Sequence, residues 1–237
     1  MAGIATSKQP RLKKWPKYRY VLWVAGIASI TVTLIGPLFE QAHTDFIFHM
    51  TGHLLLGMLA PLLLVLSAPV TLLLRSLDKE SARRVAQIFK SQTVQFISHP
   101  IVASILNIGG LWVLYTTGLF SVMHDYFAIH ALVHIHIFLA GYIFTAAMIY
   151  VDPVSHRFSY LFRTIVFILA LAGHQILAKY IYAHPPDHVS FHAAQAGGML
   201  MYYGGDAIDL VIIIIFFRQW YKSARPHSPI AVSKTID

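Results

Sequence analysis

Asp45-Phe-Ile-Phe-His49-Met-Thr-Gly-His53-Leu-Leu-Leu-Gly-Met58-Leu-Ala-Pro61-Leu-Leu-Leu-Val-Leu-Ser67-Ala-Pro69-Val-Thr71-Leu-Leu-Leu74 decides how this chain is built. The run is apolar for longer than the about 20 residues a helix needs to cross a hydrocarbon core. Pro61 and Pro69 predict kinks or breaks within it. Its polar groups gather at one end. Asp45, His49 and His53 follow one another at intervals of four and share one stripe of a helix.

The rest of the chain repeats the apolar pattern. Residues 18–37, 100–120, 125–151, 158–182 and 193–221 give five more segments of this kind. Hydrophobic residues make up 57% of the 237 and charged residues 12%, against about a quarter charged in a soluble domain. A soluble enzyme, a disordered tail protein and a disulfide scaffold are excluded. The chain has no cysteine, which removes zinc ribbons, thiolate copper sites and CxxC redox pairs. The reading is an all-α membrane protein of about six transmembrane helices over residues 18–221. A basic tail (residues 1–17) and a C-terminal tail (residues 222–237) flank it. Residues 18–37 exceed a signal-peptide core and no A-x-A site follows, so they read as an anchor. Ser98 or His99 caps the third helix, with Pro100 in its first turn. Residues 76–95 read as a connector, with Leu77, Val85, Ile88 and Phe89 as an apolar stripe.

Charge sets the orientation. The 18 basic residues fall in the two tails and in the loops after the second and fourth helices, with Lys179 the exception. By the positive-inside rule both termini face the cytoplasm. The net charge of +8 is then a topology signal and not a nucleic-acid footprint.

The histidines follow the same frame. His99, His156 and His227 fall on the cytoplasmic side, and the other eleven of 14 fall in the outer half or outer loops. His49 and His53 form one i,i+4 pair on the second helix; His130 and His134 form another on the fourth, at matched depth. His174 on the fifth helix lies at similar depth. Asp206 and Asp209 on the sixth lie near mid-membrane, where carboxylates are costly and face a bundle interior. Imidazole is the commonest metal ligand, and thioethers such as Met50, Met58, Met123, Met199 and Met201 favour Cu(I). The expected metal site is therefore His49, His53, His130, His134 and His174, with Asp206 and with Asp209 ranked below it. Zinc is the second choice of metal. His136 points to a different face and reads as structural. His43, His124, His184, His188 and His192 read as loop histidines. Gly197-Gly198 and Gly204-Gly205 read as close helix-packing positions.

Three motifs, His49-Met-Thr-Gly-His53 running through Met58-Leu-Ala-Pro61 to Ser67-Ala-Pro69, Val133-His-Ile-His136 running through Ala140-Gly-Tyr142 to Val151-Asp-Pro153, and Gln195-Ala-Gly-Gly198 running to Gly204-Gly-Asp206, resemble the CtaG family. Their order and spacing cover about residues 20–222. The resemblance implies a multi-pass assembly factor for cytochrome c oxidase in a bacterial cytoplasmic membrane. It implies a part in forming the copper centre of the subunit that carries CuB. Gly52 stands where relatives commonly have Gln, and Asp206 where many have Glu.

The function expected is a copper-binding metallochaperone that is not an enzyme. Its partners would be a nascent oxidase subunit, an unidentified copper donor and membrane lipid. Three alternatives stand beside it: a b-type haem protein with axial histidines, a divalent-metal or copper transporter, and a structural chaperone whose histidines bind nothing.

Overall fold

A computed structural model describes residues 14–154 and 156–225. The outer parts of both tails, with Lys8, Arg11, Lys13, His227 and Lys234, lie outside the described residues. Among the described residues every regular element is helical.

The N-terminal helix α1 (Lys17–Leu34) ends before Gly36, whose φ of 98° turns the chain into the short α2 (Pro37–Ala42). The long apolar run then folds in pieces. Helix α3 (Phe46–Leu54) starts on Asp45, whose side chain accepts from the Ile47 N–H at 2.7 Å. A π-helical turn, Leu55–Leu59, follows. Helix α4 (Ala60–Ser67) carries Pro61 in its first turn and ends at Ala68, which is left-handed at φ 55°. Pro69 then opens α5 (Pro69–Ser76). Both prolines thus sit where their missing N–H groups are tolerated.

The connector is two helices, α6 (Lys79–Phe89) and α7 (Gln92–Ile97). The third apolar segment is also broken: α8 (Pro100–Ser104), a second π turn at Ile105–Gly109, and α9 (Gly110–Thr116). His99 caps α8, its Nδ1 accepting from the Ile101 N–H. At Thr117 the backbone becomes extended, and α10 (Leu119–Asp125) leaves at 80°. Three long helices complete the chain: α11 (Phe127–Met148), α12 (Tyr160–Ala183) and α13 (Phe191–Ala224).

Four stretches are long and apolar enough to cross a membrane: Phe46–Ser76, Phe127–Met148, Tyr160–Ala183 and Phe191–Ala224. A fifth is added if the bent pair of α8–α9 and α10 is one span. Helix α1, 18 residues with Lys17 and Arg19 at its start, is not among them. The chain is an all-α membrane protein, with four or five spans by this measure where six were expected.

Helix α12 packs along α13, α3 on α13, α4 between α1 and α11, and α8 on α11 and α12. The closest approach is between Gly141 of α11 and the carbonyl of Gly57, where a Cβ would collide with backbone. Pro61 has no N–H for the carbonyl four residues back, so Gly57 O is left facing outward there.

Two apolar cores divide the bundle by height. One contains Phe46, Leu114, Phe120, Leu177 and Ile181. The other contains Leu62, Phe144, Val166, Phe167, Ile212 and Phe216. Beyond the second lies a basic end. There Arg19 and Arg75 cover the Trp15 ring at 4.6 and 5.2 Å. Arg163, expected among loop charges, is 1% exposed. Its guanidinium donates to Met148 O at 2.6 Å and lies 4.0 Å from the Tyr150 ring centre.

The motif residues Pro69 and Asp152 meet at this end. The Asp152 carboxylate accepts from Val70 N (3.2 Å), Thr71 N (2.7 Å) and Thr71 Oγ1 (2.5 Å). It caps the helix that restarts after the Ala68 break.

Candidate metal centre

The histidine stripe on α3 is presented inward because Asp45 fixes the start of the helix. His49 and His53 are then both buried, with Met50 between them fully enclosed. The i,i+4 pair on α11 behaves differently. His130 and His134 stack on each other, with ring centres 4.1 Å apart, on the side of α11 that meets α2. His43, at the end of α2, lies 5.0 Å from His130 and 6.3 Å from His124. His124, at the end of α10, lies 6.1 Å from His49. The rings therefore form a chain: His134, His130, His43, His124, His49.

The chain continues inward through a tyrosine. The Tyr115 hydroxyl lies 3.0 Å from His49 Nε2 and 3.7 Å from Met50 Sδ. Its ring is 6.3 Å from that of His53. His53 in turn is 6.4 Å from His174 of α12. His130 and His134 thus stand at the outer end of this row and His174 at its inner end, with His49 and His53 between them. Among the described residues no three His, Asp or Glu side chains meet tightly enough to hold one ion together.

Hydrogen bonds set the ring orientations of two outer members. His134 Nδ1 lies 2.9 Å from His130 O, and His124 Nδ1 lies 2.8 Å from Phe120 O. A carbonyl only accepts, so each Nδ1 carries the proton and each Nε2 keeps a free lone pair. Metal-binding histidines are commonly held in this way. A cavity of about 570 Å³ opens beside them, lined by His43, His49, His124, His188 and His192 with Asp45, Asp125 and Asp187. His188 in its rim has a left-handed backbone, φ 64°.

The inner pair has no such support. His53 and His174 are 5% and 3% exposed, and all four of their ring nitrogens lack a hydrogen-bond partner. A buried polar group left unmet costs about 1–3 kcal/mol, so these atoms call for an occupant. They line a cavity of about 20 Å³ with Met58, Asn107 and Asp209.

The two carboxylates of α13 separate. Asp206, expected beside the histidines, is exposed, and its carboxylate accepts from Gln175 Nε2. Asp209 is buried and reaches the inner cavity. It is three residues further along α13, about 60° round the helix from Asp206, which is enough to carry it from the exposed edge to the buried side. Lys179 lies over the Tyr202 ring at 5.4 Å. Among the methionines, Met50, Met123 and Met201 are packed in the upper core, Met58 lines the inner cavity and Met199 is exposed. His136 serves structure: its Nε2 donates to Leu106 O at 3.1 Å, within the π turn of Ile105–Gly109. His184 bonds Tyr180 O one turn back.

Sequence reasoning missed His43, His124 and Tyr115 as members of this arrangement, and ranked Asp209 below Asp206. The first two lie on short helices whose placement depends on the turns at Gly36 and Thr117. Tyr115 stands in a segment that shows no polar stripe.

The expected packing glycines hold. A Cβ at Gly205 would stand 2.6 Å from His174 Cε1, and one at Gly198 would stand 2.9 Å from Ala178 O. Gly52 lies under Thr33 Cγ2, 3.2 Å from where a Cβ would be. A longer residue there would press on α1.

The family model "Cytochrome c oxidase caa3 assembly factor (Caa3_CtaG)" matches residues 1–223. The chain is 29% identical over 229 residues to uncharacterized protein ML1998 of Mycobacterium leprae, covering 88% of this chain and 35% of that one. It is 33% identical over 166 residues to uncharacterized protein Mb0105 of Mycobacterium bovis, covering 67% and 25%. The chain thus spans between a quarter and about a third of the length of these curated relatives. No solved structure matches it. The chain belongs to the cytochrome c oxidase caa3 assembly factor family.

Proposed function

We propose that this member of the caa3 assembly factor family binds copper, as Cu(I), at its histidine end and delivers it to a cytochrome c oxidase subunit in which the CuB centre is being formed. Copper here is cargo and no substrate is turned over. The protein would sit in a bacterial cytoplasmic membrane with both termini cytoplasmic, so that copper arrives at the outer face from a donor protein. The observation that carries the reading is the outer histidine set. His43, His49 and His124 line the outer cavity, His130 stands 5.0 Å from His43 and 4.1 Å from His134, and His124 and His134 keep their Nε2 lone pairs free. Soft, neutral nitrogen donors in a chain of neighbours suit ligand-by-ligand exchange of Cu(I).

Transport through the bilayer is disfavoured by the lower core. Ile212 and Phe216 follow Asp209 at three and seven residues along α13, and Phe144, Val166 and Phe167 close the space around them. An ion reaching Asp209 would meet this apolar layer and, beyond it, the buried cation of Arg163.

The test replaces His130 and His134 together by Ala in the full-length chain. Cu(I) bound to the purified protein should fall. Cells relying on the variant should accumulate oxidase that holds haem but lacks CuB, partly restored by added copper through mass action. Normal copper binding with fully active oxidase would overturn the reading.

A further inference from the structure

The inner pair differs from the outer histidines in every respect that matters to a ligand. His53 and His174 come from different helices, α3 and α12, and lie side by side in a buried part of the bundle. Their ring planes are inclined by only 26°, with centres 6.4 Å apart. A metal–nitrogen bond of about 2 Å to each ring bridges a gap of this size. None of the four nitrogens has a protein partner. The cavity they share, about 20 Å³, is the size of a single water or ion. A porphyrin has no room in it, which removes bis-histidine haem.

The surroundings are built to keep that space open. Gly205 allows the His174 ring to lie against α13, and Gly57 sits 3.5 Å, by its absent Cβ, from His53 Nδ1. Both π turns form its walls: Gly57 and Met58 belong to one, Asn107 and Ile108 to the other. Such turns are frequent at functional sites.

We propose that His53 and His174 form a second site, separate from the outer set, that takes one Cu(I) ion between their rings with Asp209 as its counter-charge. This rests on the copper reading above and adds to it a resting place at the inner end of the ring chain, reached past Tyr115. Two nitrogen donors suit Cu(I), which is stable with two ligands, and do not suit zinc, which takes four. The carboxylate of Asp209 balances the charge of a buried monovalent cation.

The experiment measures Cu(I) stoichiometry of the full-length protein in detergent, anaerobically, by competition with a chromophoric chelator, together with X-ray absorption at the copper edge. The unaltered protein should hold two ions. His130→Ala with His134→Ala should keep one, in a shell of nitrogen without sulfur. His53→Ala with His174→Ala should keep only the outer one. His174→Met replaces a nitrogen by a soft thioether of similar reach, and should keep the inner ion while adding one sulfur to its shell. A purely structural role for His174 cannot produce that sulfur signal. Asp209→Asn should weaken the inner ion about 10–100-fold. Monodisperse elution of each variant establishes that it is folded. If the inner variants leave stoichiometry and shell unchanged, or folded His174→Met shows no sulfur, the inner site is overturned while the outer reading stands. If the unaltered protein binds no Cu(I), both fall. If one ion is bound and survives only loss of the outer histidines, the inner site stands and the outer reading falls.

Discussion

At the scale of single residues, the carboxylates of α13 carry the sharpest contrast. Asp206 is exposed and paired with Gln175, whereas Asp209 is buried beside His53 and His174. Asp206→Asn keeps an acceptor for Gln175. Its effect on Cu(I) affinity should stay within about 0.5 kcal/mol, as for other surface changes, in the same titration that shows a large loss for Asp209→Asn. Gly205→Ala should act on copper without touching a ligand. Its Cβ would stand 2.6 Å from His174 Cε1, so the ring must move. One of two bound ions should be lost while the fold is kept, read by stoichiometry and elution profile. The presence of these residues at suitable depth was legible from the stripe on α3 and from two carboxylates in an apolar helix. Which carboxylate faces the cavity was not, because residues three apart lie only about 60° from each other round a helix, and the rotation of α13 against α12 decides which of them is turned inward.

At the scale of elements, the breaks in the helices are as informative as the helices. The Ala68 break separates α4 from α5, and Asp152 holds the restart by three hydrogen bonds. Asp152→Ala should destabilise the protein by about 0.5–2 kcal/mol, the usual cost of a lost helix cap. Faster proteolysis within residues 69–97 would register it. The motifs around Pro69 and around Asp152 thus carry a clasp and not a copper ligand. His136 serves the second π turn in a similar way. His136→Ala removes the exposed hydrogen bond to Leu106 O and should cost about 0.5–1.5 kcal/mol in thermal unfolding, with Cu(I) stoichiometry unchanged. Pro69 announced the break at Ala68, whereas Pro61 follows the first π turn without interrupting the helix, and His99 was one of two caps foreseen for α8. The π turns had no signal in the chain, since an extra residue per turn is accommodated by what packs against it, here Gly141 and His136.

At the scale of the whole molecule, the bundle has a histidine end and a basic end, separated by the lower apolar core. Reporter fusions at the C-terminus should report a cytoplasmic location and a fusion near His188 an external one; the reverse would invert the direction of copper entry. Proteoliposomes containing the protein should take up no more Cu(I) than empty ones, because the lower apolar core and the Arg163 cation lie beyond Asp209. The sequence by itself determined the all-helical membrane class, the approximate helix positions, the family through its ordered motifs and the concentration of histidine toward one end. These follow from composition and local periodicity, which act along the chain. Only the tertiary structure decided that α10 turns away at 80°, that His43 and His124 stand among the histidines of α3 and α11, and that His53 and His174 meet at a separate small cavity. Those outcomes depend on how helices are rotated and how closely their glycines let them approach. Packing between distant segments sets both, and no local pattern records it.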